Sequence, residues 1–159
     1  MKTIPLTRGM VAIVDDVDYE KVINIGRWYA CKKGRCNFYA RRHLTRVRTE
    51  TMHRFIIGDI EGKEIDHING NGLDNRRENL RHCNHHENIA NSRKSIDNTS
   101  GFRGVSFDKS RAKWSARIGT NGKQRFLGRF STAEDAARSY DAAAIKYFGE
   151  FANINFILA

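Results

Sequence analysis

Four consecutive residues, Asn69-Gly70-Asn71-Gly72, constrain the fold of this chain more than any other stretch. Asn and Gly favour turns, so neither a helix nor a strand can run through them. Before them Glu64-Ile65-Asp66-His67-Ile68 alternates as a short strand does, and after them Leu80-Arg81-His82-Cys83 offers a second strand. Asn84 then stands as a helix cap with Glu87 three residues on, the pattern of an N-terminal capping box. The predicted order is strand, loop, strand, helix, with Asp66 and His67 on the first strand and Asn88 on the first turn of the helix. Adjacent strand residues point to opposite faces, so Asp66 and His67 can share a site only near a strand end or an irregular turn.

The chemistry of these residues points to phosphate ester hydrolysis. A carboxylate oxygen from Asp66 and an amide oxygen from Asn88 are hard ligands suited to Mg²⁺, which keeps several waters and takes further partners from phosphate. A neutral His67 beside such an ion can accept a proton from water as it attacks phosphorus. Asn79 could hold the loop or orient the imidazole by a hydrogen bond. His53 and Arg54 lie in a short helix or turn over Thr51–Gly58, close enough in sequence to sit beside the scissile phosphate. The cluster His82, Cys83, His85 and His86 reads as exposed or phosphate-facing rather than as a zinc site, because its members fall on different faces of a strand and a helix start.

The flanks are basic. Residues 1–50, 51–98 and 99–159 carry +6, −1 and +5, which make up the net charge of +10 over 159 residues. That balance favours a polyanion. A membrane is disfavoured, since no run approaches the roughly 18–20 apolar residues a span needs, and the N-terminus lacks the apolar region of a signal peptide. The expected location is the cytoplasm or nucleoid. Three cysteines, Cys31, Cys36 and Cys83, form no disulfide framework, which agrees with a reducing compartment, and without a C-x-x-C pair they read as thiols rather than zinc ligands.

Within the first flank, residues 3–14 suggest a hairpin turning at Arg8-Gly9. Asp15, Asp16 and Asp18 read as a solvated acidic turn that caps a segment from Tyr19 to Trp28. Two strands joined at Lys33-Gly34-Arg35 follow, where aromatic residues interleave with Lys32, Lys33, Arg41 and Arg42 as a phosphate-contacting sheet would.

Residues 89–100 lose apolar periodicity and read as the helix end and a linker, and a new module starts at Gly101. Val105 and Phe107 are expected on one face with Ser106 and Asp108 on the other, and Trp114, Ala116 and Ile118 on one face with Lys113, Ser115 and Arg117 on the other. Asn121-Gly122 marks a turn, and Gln124 to Phe130 a third strand. Ser131 is the expected cap of a helix whose apolar stripe is Ala136, Tyr140, Ala143, Ala144 and Tyr147.

Two resemblances follow from these motifs. Asp66-His67, Asn79 and Asn88, with the MHR of residues 52–54 ahead of them and ENLR around Asn79, resemble the HNH or ββα-metal endonucleases, closest to the homing enzymes of phages and introns, over roughly residues 51–92. The resemblance implies a single-metal nuclease in which Asp66 and Asn88 ligate the ion, His67 is the general base, and Asn79 supports the hairpin and the base. The hallmarks RGV (103–105), KW (113–114), LG.F (127–130), AA..YD.AA (136–144) and G..A..NF (149–156) resemble the plant ethylene-response-factor, Apetala-type DNA-binding domain. By position that family implies Arg103, Gly104, Ser106, Lys113, Arg117, Gln124 and Phe126 facing the major groove. Ser106 and Asp108 stand where plant members usually carry arginine, and Phe126 where they carry Trp, which puts the plant target sequence in doubt.

The expectation is therefore an α+β chain: a basic β-rich region at 1–50, an HNH motif at 51–92, a linker at 93–100, and at 101–159 a three-stranded antiparallel sheet on one helix. It would hydrolyse double-stranded DNA with one divalent ion, Mg²⁺, for which Mn²⁺ would substitute. His67 would be the base with His53 as helper, and Arg41, Arg42 and Arg54 would contact DNA. A monomer would nick, and a homodimer would cut both strands. The rival readings are a non-catalytic sequence-specific DNA-binding regulator derived from a nuclease, and an RNA-directed protein, which the major-groove mode disfavours.

Overall fold

The computed structural model describes residues 1–34, 37–92 and 97–156. The turn residue Arg35 and the thiol of Cys36 lie outside this set. The chain divides into two compact units, Met1–Asn84 and His85–Ala159, and its class is α+β, as the patterning predicts.

In the first unit, β1 (Lys2–Pro5) and β2 (Val11–Val14) form an antiparallel hairpin around a turn at Thr7–Gly9. Helix α1 (Asp16–Asn24) follows, then β3 (Tyr29–Lys33), β4 (Asn37–His43) and β5 (Thr49–Thr51), an antiparallel sheet in that order. Helix α2 (Met52–Ile57) stops at Gly58, and β6 (Glu64–His67) pairs antiparallel with β7 (Leu80–Cys83). One core gathers Ile4, Val14, Val22, Trp28, Ala40, Met52, Ile56 and Leu80, so residues on both sides of position 50 bury their apolar surface together. Between β6 and β7 the chain touches β2: Ile13 N–H donates to the Leu73 carbonyl and Asn75 N–H to the Ile13 carbonyl, each at 2.8 Å.

The acidic turn is corrected. The helix starts at Asp16, and Asp18 is buried because Arg77 grips it with two charge-assisted bonds of 2.6 and 2.7 Å. Asp15 accepts from the Arg77 backbone N–H at 2.8 Å. These carboxylates therefore fasten the loop ahead of β7 to α1.

The second unit opens with α3 (His85–Asn91). Strands β8 (Val105–Asp108), β9 (Lys113–Thr120) and β10 (Lys123–Phe130) form an antiparallel sheet with β9 central, packed on α4 (Ala133–Phe148). Asn121 and Gly122 take φ of 51° and 71° at the β9–β10 turn, the positive pair that a tight hairpin needs. Val105, Ala116, Ala136 and Ala137 form one core cluster and Ile118, Tyr140 and Ala144 another; the alanines let helix and sheet approach closely.

Several details depart from the periodicity reading. The α4 cap is Thr132, whose hydroxyl accepts from Asp135 N–H at 3.1 Å, rather than Ser131. Ala137 and Asp141 join the buried stripe while Tyr147 is exposed, because the contact face follows Ala136-Ala137 and repeats four residues on. Phe107 is exposed on edge strand β8, and Ser115 is buried on the central strand, where Ser106 and Arg129 flank it in register.

Candidate active site and nucleic-acid interface

His67 is the last residue of β6, where the strand gives way to the turn closed by Gly70 N–H donating to its carbonyl at 2.7 Å. A strand end is the place on β6 from which two adjacent residues of opposite faces could be brought to one site. Asp66 stands opposite Arg81 in the hairpin register and accepts from its guanidinium at 2.9 and 3.0 Å. The His67 imidazole enters a cluster with His53 and Tyr39: ring centroids are 5.0 Å apart for His53–His67, 5.7 Å for Tyr39–His53 and 5.6 Å for Tyr39–His67, all edge to face. Gly72 brings the Asn-Gly loop onto β4 at Tyr39, where a Cβ would lie 2.5 Å from the Phe38 carbonyl oxygen and 2.8 Å from the Tyr39 ring. Only glycine permits that approach.

Hydrogen bonds hold the ring and the loop. Asn75, fully buried, places its Oδ1 3.4 Å from His67 Nε2. Asn79 accepts from Asn69 N–H through Oδ1 at 3.0 Å and donates through Nδ2 to the Asp74 carbonyl at 2.8 Å, so both ends of its amide are spent on the loop. His53 shares a 3.0 Å bond with the Thr51 hydroxyl. Burial first, then repulsion from His67 in its protonated form and from Arg54, pushes His53 down to about 3. Burial also lowers His67, against an opposing pull from the Asn75 hydrogen bond and the Asp66 and Asp74 carboxylates.

The donor chemistry fits a hard divalent ion. Asp66 is a buried carboxylate beside an imidazole whose proton affinity burial lowers, and oxygen donors of this kind suit Mg²⁺. Asn88 lies on α3 in the second unit. Among the described residues no group of three or more His, Cys, Asp or Glu side chains comes together. Of the candidate zinc thiols, Cys31 is partly exposed and Cys83 is buried with its Sγ near the Glu64 carbonyl.

In the second unit, Arg117, Gln124 and Phe126 come together with Arg129 around a shallow groove of about 310 Å³ on the sheet face away from α4. A bulge builds this group. Phe126 pairs with Arg117 but Gly128 pairs with Ala116, so Leu127 is extra and Arg129 arrives opposite Ser115 on the outer face. The Arg129 guanidinium then lies 4.9 Å from the Phe126 ring centre and bonds Asp108 at 3.2 Å. Ser106 and Lys113 are exposed on the neighbouring strands, with Lys113 donating to the Ser131 hydroxyl at 3.0 Å. Arg103 and Gly104 are tied inward instead. Arg103 donates to the Ser92 carbonyl and, through its backbone, to Asn155 at 2.7 Å. Gly104, at φ 70°, abuts the Tyr140 ring, which a Cβ would meet at 2.1 Å.

The basic residues of the first unit also separate. Arg42 is committed to the fold: it pairs with Glu50 at 2.7 Å, donates to the Ile25 carbonyl at 3.1 Å, and lies over Trp28 and Phe55. Arg41 is half-buried on β4 opposite Tyr29 and Thr51, and Arg54 is exposed and paired with Asp59 at 3.1 Å. Tyr39, Asn75, Arg81 and Arg129 join these groups although the sequence patterns above assign them no place there. Arg81 had a usable signal, since an antiparallel hairpin pairing His67 with Leu80 must pair Asp66 with Arg81. Asn75 was one of several loop asparagines with nothing to single it out.

Two family models match the chain: the AP2 domain over residues 100–150 and the HNH endonuclease over residues 54–90. Among curated proteins, it is similar to the AP2-like ethylene-responsive transcription factor TOE2 of Arabidopsis thaliana, 47% identical over 60 residues, 38% of this chain and 12% of that protein. It is 49% identical over 61 residues to APETALA2-like protein 2 of Oryza sativa subsp. indica, 38% of this chain and 14% of that protein. It is 39% identical over 85 residues to the AP2-like ethylene-responsive transcription factor AIL5 of Arabidopsis thaliana, 50% of this chain and 15% of that protein. The chain thus spans between 12% and 15% of the length of these relatives. Among the described residues no helix is long and apolar enough to cross a membrane.

Proposed function

We propose that this chain is a metal-dependent endonuclease of the HNH, homing type that hydrolyses phosphodiester bonds in double-stranded DNA and selects its site with the C-terminal sheet. The observation that carries the reading is His67: a buried imidazole at a strand end, its proton affinity lowered by burial, next in sequence to the Arg81-paired carboxylate of Asp66, within the segment that matches the HNH endonuclease model. Sequence-specific DNA recognition is supported by the likeness of residues 100–150 to AP2 domains, by relatives named as transcription factors, and by a net charge of +10.

In this reading His67 takes the proton from a water molecule as its oxygen bonds to phosphorus and the phosphorus–oxygen bond to the leaving group breaks. His53, neutral and in ring contact, holds the His67 plane together with Tyr39. Asn79 keeps the loop closed under the base. Asp66, with Asn88 as the second oxygen donor implied by the HNH resemblance, would hold the divalent ion. When bound, that ion supplies Lewis-acid stabilisation of the charge on the leaving oxygen.

Supercoiled plasmid incubated with the full chain and Mg²⁺ or Mn²⁺ tests the proposal. Metal-dependent nicking that disappears in His67→Ala, with duplex affinity retained, is the expected result. The second reading, a non-catalytic DNA-binding regulator, is favoured by the transcription-factor names of the relatives. It predicts tight duplex binding and intact plasmid at every metal and salt concentration.

A further inference from the structure

We propose that Arg129 is a specificity-determining residue of the C-terminal sheet, braced by Asp108 and Phe126 so that its two terminal nitrogens take the O6 and N7 edge of one guanine in duplex DNA. The inference rests on the reading that this sheet selects the DNA site. It deepens that reading by naming one base and the side chain that takes it.

The strand register lays this side chain across the sheet. Arg129 on β10 stands opposite Ser115 on β9, and Ser115 stands opposite Ser106 on β8. Two serines in one row leave a low lane over the central strand. Arg129 crosses that lane to Asp108 on β8, where its Nε donates to Oδ2 at 3.2 Å. Ser115 is buried and its hydroxyl has no hydrogen-bond partner. On a face otherwise open to water, a hydroxyl neither wet nor bonded marks a covered position, and Arg129 is its register partner.

The guanidinium is held in place while its working end stays open. The Phe126 ring centre lies 4.9 Å from the guanidinium carbon. Asp108 is itself fixed by the Ser110 hydroxyl at 2.7 Å and by Arg111 at 3.4 Å. The Ser110 bond first, then Arg129 and Arg111, push its carboxyl down to about 2 against desolvation, so the brace is charged at neutral pH. With Nε spent on Asp108, the remaining donors of the planar guanidinium sit on its two terminal nitrogens. Among the described residues these donate to nothing, and the side chain is 38% exposed beside Arg117 and Gln124. A fork of donors alone matches two acceptors side by side. In the major groove only guanine shows such a pair; adenine and cytosine present a donor, and thymine a methyl group beside its one acceptor. A phosphate also offers paired oxygens, but the Asp108 charge disfavours an anion at this place more than a neutral base edge.

Selection of bound duplexes from a random library by the full chain without divalent ion, followed by affinity measurements on the selected site, tests the proposal. In the wild type a guanine should dominate one position that Arg129→Lys, which keeps the charge and loses the planar fork, leaves without preference. Asp108→Ala should blunt the preference at that same position while the others keep theirs, which a merely structural role would not do. Replacing that guanine by 7-deazaguanine, which lacks the N7 acceptor, should weaken wild-type binding about 10-fold and leave Arg129→Lys nearly unchanged. A wild type indifferent to 7-deazaguanine at every guanine of its site overturns the proposal even if no variant folds, and so does a full set of guanine preferences in Arg129→Lys. Arg129→Ala that weakens binding to all sequences alike reports a phosphate contact and overturns it as well. A wild type that selects no sequence removes both the proposal and the reading of the sheet as the site selector. Selection of the guanine through Arg129 with no plasmid nicking in Mg²⁺ overturns the nuclease reading and leaves the proposal standing.

Discussion

His53 and His67 meet edge to face, with 5.0 Å between ring centroids and 86° between ring planes. Both are buried, and burial lowers the proton affinity of each. Two neutral rings coexist at this separation, whereas two imidazolium ions would repel at close range without water to screen them. Neutrality is therefore a condition of the packing as well as of any role for His67 as a base.

That condition sets how stability responds to pH. His53 falls from an ordinary 6.5 to about 3 in the folded chain. Above the higher value neither state binds the proton, and His53 adds no pH dependence. As pH falls through the window the unfolded chain protonates first, so stability should decline by about 1.4 kcal/mol per pH unit from this residue. Urea unfolding at a series of pH values across the window checks it. His53→Gln should flatten the slope, and an identical slope in that variant contradicts the assignment.

The Asp66–Arg81 pair predicts an asymmetry between single and double substitutions. Both side chains are mostly buried, at 7% and 14% exposure. Arg81→Met takes the guanidinium away from a buried carboxylate and should cost about 3–5 kcal/mol, whereas Asp66→Leu with Arg81→Met should recover much of that loss. Chemical denaturation of the two variants beside the wild type measures the difference, and equal losses in single and double variants would count against the pair.

Gly104→Ala should destabilise the second unit by at least about 2 kcal/mol, because the new Cβ meets the Tyr140 ring at 2.1 Å and the Arg117 carbonyl at 2.6 Å at a φ of 70°. Differential scanning calorimetry of the full chain should show the loss. The readout that separates packing from recognition is duplex affinity at low temperature, where the remaining folded protein should bind as the wild type does.

Basic residues should divide by what they already touch. Arg117→Ala and Arg129→Ala, on the groove, should each weaken duplex binding and reduce the slope of log K against log salt by about 1. Arg42→Ala should instead lower stability, since its guanidinium is held by Glu50 and the Ile25 carbonyl, and should leave the salt slope alone. Fluorescence anisotropy over a salt series decides between the two behaviours.

Local pattern carried most of the elements. Alternation around Asp66 and around Ala116, the Asn121-Gly122 turn and the stop at Gly58 all sit where the residues place them. What could not be read was set by partners distant in sequence. Asp18 looked solvated because Arg77, 59 residues on, is invisible to any local window. Arg42 looked available because Glu50, Ile25, Trp28 and Phe55 converge on it only in the fold. Arg129 was missed for a different reason: strict alternation from Phe126 puts it beneath the sheet, and a one-residue irregularity cannot be located by counting in twos.

That irregularity has a consequence for whatever lies against the sheet. Along β10 the outward side chains come at an interval of two residues up to Phe126 and three from Phe126 to Arg129, where the extra Leu127 is absorbed. Because the extra residue is absorbed, Phe126 and Arg129 stand opposite Arg117 and Ser115, positions two apart on β9. The outer face keeps an even step across the strands and gains a guanidinium that unbroken alternation would have turned toward α4.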